Sequence, residues 1–73
     1  MNTLDKLLTT LAEAPPGQID ARIVMRFMGL VGCSKEIIAY NLKEIRDECV
    51  AGNMATPFAL RIINETIVIA ETK

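Results

Sequence analysis

The sequence contains no histidine, only two cysteines, and only one tyrosine and two phenylalanines. Without histidine, the side chain that ordinarily titrates near neutral pH is missing, and general acid–base catalysis loses its usual carrier. Cys33 and Cys49 have no partners at the spacing of a zinc site, and no glycine-rich segment is suited to cradling phosphate. Glu44, Asp47 and Glu48 fall close together but read as a solvated helix face. No catalytic residue, cofactor or metal is expected, and the chain reads as non-enzymatic.

A charge excess is also missing. Eight Lys and Arg stand against nine Asp and Glu, a net charge of -1, whereas domains that grip nucleic acid through its phosphates carry a basic surplus. No membrane-length apolar run exists. The most apolar stretch, 23–33, is short and interrupted by Arg26. Asp5 and Lys6 spoil any secretory signal at the N-terminus. These absences point to the cytoplasm. A helix between Cys33 and Cys49 would hold their Cα atoms roughly 24 Å apart, far beyond disulfide reach, so two reduced thiols are expected.

Aliphatic residues are plentiful. Hydrophobic residues make up 51% of 73 positions, enough for one domain spanning 1–73 with a core of Leu, Ile and Val. The four methionines read as filler for that core. Leu4, Leu7, Leu8 and Leu11 form a helical stripe over 3–13, capped by Asn2 or Thr3 and stopped by Pro15, Pro16 and Gly17. Asp20 caps a second helix over 20–30, with Ile23, Phe27 and Leu30 as its stripe. Gly32 suits a turn of positive φ. Ser34 caps a third helix over 34–49, with the seam Ile38, Leu42, Ile45 and Cys49, closed by Gly52 and Asn53. Cys33 lies just before that cap and reads as a hydrophobic staple to Ile38.

The remainder is β-prone from Phe58 to Glu71. A hairpin turning at Asn64 and Glu65 would place Leu60, Ile62, Ile67 and Ile69 on one face and Arg61, Ile63, Thr66 and Val68 on the other. The expected fold class is therefore α+β: a three-helix core followed by a C-terminal β-hairpin.

Residues 20–52, with a capped helix, a Gly-containing turn and a second capped helix beginning Ser34-Lys35-Glu36-Ile37, resemble a helix-turn-helix, and the hairpin would complete a winged-helix domain. In that family the third helix enters the major groove and the wing touches the DNA backbone. The corresponding outward face here carries Glu36, Ala39, Tyr40, Lys43 and Asp47, and Arg61 is the only cation on the wing. The chain's length, layout and missing basic patch also resemble the small transcription regulators of lytic phages, which bind host RNA polymerase and inhibit initiation or suppress termination. That resemblance implies a protein partner, RNA polymerase, contacted in the host cytoplasm, with weak or indirect DNA binding. The alternative is a dimeric winged-helix repressor that binds DNA. The residues expected to bind the partner are Glu36, Tyr40 and Lys43 on the third helix and Arg61, Ile63 and Val68 on the outer face of the ribbon. Burial beneath the first helix or the termini is the competing reading for Ile63 and Val68, and a partly covered surface position is the competing reading for Tyr40.

Overall fold

Residues 2–72 of the computed structural model describe four helices: α1 Thr3–Ala12, α2 Ala21–Met28, α3 Lys35–Gly52 and α4 Pro57–Glu71. Each begins where the sequence offers an oxygen to the first unpaired N–H groups of the helix. The Asp5 N–H donates to Asn2 Oδ1 at 2.8 Å and the Arg22 N–H to Asp20 Oδ1 at 2.8 Å. Ile37 N–H donates to Ser34 Oγ at 3.3 Å, and Ala59 N–H to Thr56 Oγ1 at 3.2 Å. Gly32 adopts φ 86° in the turn before α3, as its position predicts, and α3 ends on Asn53 in the left-handed region at φ 53°.

The first three helices lie where the apolar spacing places them. The C-terminal segment does not form the expected hairpin. Residues 57–71 are one continuous helix, so the domain is all-α among the described residues rather than α+β, and there is no wing. The physical reason lies in how the segment starts and in its small residues. Thr56 caps, and Pro57 occupies the first turn, where its missing N–H costs nothing and its fixed φ favours the helix. Ala59, Ile63, Thr66, Ile67 and Ala70 then recur at helical spacing and are all buried. Thr66, the one buried polar side chain among the described residues, donates its hydroxyl to Ile62 O at 2.7 Å, so burial leaves no orphan. The β-branched residues that suggested strands are tolerated because β propensity mostly records packing on a half-buried surface, and α4 supplies such a surface.

α4 packs on both α3 and α1, and α1 packs on α2. Leu8 of α1, Phe27 of α2, Leu42 of α3 and Ile63 of α4 are each 0% exposed and meet in one core. The only β pairing among the described residues joins two loops: Ile19 bridges Ala55, Asp20 N–H donates to Met54 O at 2.7 Å and Thr56 N–H donates to Gln18 O at 2.9 Å. The Thr56 hydroxyl also lies 2.7 Å from Gln18 Oε1. The residue that caps α4 is thereby tied to the loop leading into α2. Arg26 of α2 and Glu48 of α3 form an ion pair at 2.7 Å across the outside.

Cys33 and Cys49, at opposite ends of α3, are free thiols. Cys33 is half-buried against the core, and its Sγ points to Gly29 O at 3.6 Å. The methionines depart from the filler reading: Met25 and Met28 are exposed and Met54 is partly buried, while Met1 lies outside the described residues.

Candidate docking surfaces

The six residues singled out from the sequence separate into three environments. Glu36, Tyr40 and Lys43 follow one another at helical spacing on α3 and come together at one surface. With Lys35 and Ala39 they line a shallow groove closed on its far side by Ala70, Glu71 and Thr72 at the end of α4. Lys43 Nζ pairs with the Glu71 carboxylate across the groove, and Lys35 Nζ donates to Thr72 O at 3.3 Å. Tyr40 is 66% exposed, and Ile37, three residues earlier, is also exposed. The Tyr40 hydroxyl is hydrogen-bonded to Glu44 one turn on, and that bond, reinforced by the glutamate's charge, holds the phenol above its ordinary pKa.

Arg61 and Val68 lie on a second surface, the outer face of α4, beside Pro57, Leu60, Asn64 and Glu65. They remain neighbours, but through a helix and not through a ribbon. Ile63 belongs to neither surface. It is fully buried, so the expectation that it contacts a partner is overturned. In a strand, Ile63 would share a face with Arg61. In a helix it points about 160° away from Arg61, toward α3 and α1. Burial, the competing reading for Ile63, is therefore correct, and Val68 at 63% exposure goes the other way.

The groove residues contributed by the end of α4 were not anticipated. No spacing rule links Glu71 to Lys43 in sequence, and only the helical course of 57–71 brings them together. The exposed Phe58 was also missed, because in the hairpin reading it marked only the start of a strand.

Among the described residues no group of three or more acidic or Cys side chains is placed to hold a metal ion. No buried side-chain nitrogen or oxygen among them lacks a partner. Burial, with help from the neighbouring Glu48, pushes the Cys49 thiol above its ordinary pKa, which makes it a poor nucleophile. No helix is long and apolar enough to cross a membrane among the described residues. At both surfaces exposed apolar side chains, Ile37 and Tyr40 on α3 and Phe58 and Val68 on α4, stand beside charged ones. No protein-family model matches the chain, and no curated protein or solved structure matches it either.

Proposed function

We propose that this chain is a non-enzymatic docking protein of transcription regulation that binds bacterial RNA polymerase through the surface where α3 meets the end of α4. The observation that carries the reading is Tyr40. Tyr40 is two-thirds exposed at the lip of a groove in which Lys43 and Glu71 already satisfy each other. The fold does not need the ring, and tyrosine is among the residues that most often anchor protein interfaces. Glu36 and Lys35 at the start of α3 would orient the partner and set the association rate more than the strength of binding.

Transcription enters through the resemblance of the capped α2–turn–α3 unit to regulators of the helix-turn-helix class, and the near-neutral charge favours protein over DNA as the target. The place of action is then the cytoplasm of the cell that makes the polymerase. The test is retention of purified bacterial RNA polymerase by the immobilised protein. The intact chain should retain it, and Tyr40→Ala should weaken retention by about 5- to 150-fold, the effect of losing an anchor of about 1–3 kcal/mol. Failure of the intact chain to retain polymerase, or equal retention by the variant, overturns the proposal.

The α2–turn–α3 unit also keeps a DNA-binding repressor in view. Its outward residues argue against it, because Glu36, Glu44 and Asp47 would meet phosphates and the wing is gone. In a gel-shift series with random duplex fragments at physiological salt, weak binding is expected. A tight, sequence-selective complex would restore the repressor.

A further inference from the structure

The outer face of α4 carries Pro57, Phe58, Arg61, Asn64, Glu65 and Val68, all exposed, opposite the buried seam of Ala59, Ile63 and Ala70. Phe58 is 64% exposed and Val68 63%. A shallow groove lined by Pro57, Leu60, Arg61, Asn64, Glu65 and Val68 runs along this face. Arg61 and Glu65 lie one turn apart, yet neither takes part in any ion pair among the described residues, all of which involve other side chains.

The arrangement has an internal symmetry. Position 63 is the midpoint between Arg61 and Glu65, and Pro57 and Val68, which lie within about 20° of each other around the helix, flank it almost evenly. Along the helix axis the charged pair sits about 3 Å to either side of that level and the apolar pair about 8 Å to either side. A two-fold axis lying across the outer face at this level sets Arg61 against Glu65 of the partner subunit and Pro57 against Val68 of the partner subunit, each contact made twice. A parallel alignment would instead set arginine against arginine. Self-complementarity of one patch under a two-fold axis is what an isologous dimer requires.

From this geometry we propose that a second copy of the chain docks antiparallel on the outer face of α4. The apolar pairs at the two ends supply the buried area, and the two ion pairs at the centre fix register and direction. One 15-residue helix per subunit gives an interface below the standard size for stable complexes, so the dimer is weak and reversible. The surface is separate from the groove that holds Tyr40, and the inference stands whether or not polymerase is the partner.

Sedimentation of the full chain from about 20 µM to about 1 mM tests this, a range that brackets the affinity of a small interface. The intact protein should shift from monomer toward dimer. Arg61→Glu and Glu65→Arg, each made at an exposed and unpaired site, should keep the helical circular dichroism of the parent. Each alone should lose association by about ten-fold or more, because like charges then face each other twice. An equimolar mixture of the two should recover it, since each glutamate of one variant meets an arginine of the other. Val68→Ser, which keeps both charges, should also weaken the dimer of the otherwise intact chain. A monomer throughout the range, association of either charge variant equal to that of the parent, or a mixture no more associated than its components would overturn the proposal.

Discussion

α3 and α4 are adjacent helices of 18 and 15 residues that pack on each other, and they differ in how many structures their sequences allow. In α3, charged residues recur between the apolar ones, at Lys35, Glu36, Lys43, Glu44, Arg46, Asp47 and Glu48, so only a 3.6-residue period yields an apolar seam. In α4, apolar or β-branched side chains fill almost every position from Phe58 to Ile69. Period two gives the aliphatic face Leu60, Ile62, Ile67 and Ile69. Period 3.6 gives Ala59, Ile63, Ile67 and Ala70. Both look like cores. What separates them is the placement of the few polar residues: Arg61, Asn64 and Glu65 share one helical stripe, which the hairpin would split between a strand and a turn. Polar residues, more than apolar ones, fix the period of an apolar-rich segment.

The sharpest way to break this comparison is at the two core centres. Leu42→Ala in α3 and Ile63→Ala in α4 should each cost about 2–5 kcal/mol in urea or thermal unfolding, because both side chains are fully buried. A hairpin with Ile63 outside would leave the second variant close to the parent. Next in size are the caps. Thr56→Ala should cost about 1–2 kcal/mol and Ser34→Ala about half of that, since Thr56 both caps α4 and ties it to Gln18, whereas Ser34 only caps α3. Equal losses would show that the loop-to-loop tie adds nothing. Val68→Ser, on the exposed side of α4, should change monomer stability by less than about 0.5 kcal/mol. The contrast between Ile63 and Val68 matters most here, because the hairpin makes them neighbours on one face and the helix sets them on opposite sides.

Much of this was legible in the sequence. Asn2, Asp20, Ser34 and Asn53 mark helix ends by their own hydrogen-bonding chemistry, and Leu42 declares its burial through its spacing from Ile38 and Ile45. Glu36, Tyr40 and Lys43 were grouped correctly because helical spacing alone brings them together. The fate of 57–71 was less plain, although Thr56-Pro57 is a helix-start signal and Ala59 and Ala70 are small residues that suit close helix packing. β-branched content outweighed those cues in the reading. The error carried Ile63 to the wrong side and hid the approach of Glu71 to Lys43, which depends on the rise of a helix over its full length.

The smallest expected effect concerns Tyr40, the only tyrosine in the chain. Its hydrogen bond to Glu44 favours the protonated phenol, so its ionisation, followed by the tyrosinate absorbance, should have a midpoint above the ordinary tyrosine value. A raised pKa in the folded state means that the contact's contribution is present below the ordinary pKa and is lost as pH rises through the raised one. Glu44→Gln should bring the midpoint back toward the ordinary value. An unchanged midpoint would detach Tyr40 from Glu44.

The helical course of 57–71 underlies everything argued for both surfaces, and backbone chemical shifts measure it residue by residue. Cα secondary shifts should be positive without interruption from the first turn after Pro57 into the last turn before Glu71. Negative shifts across 60–63 and 66–69, with a break at Asn64 and Glu65, would contradict the account.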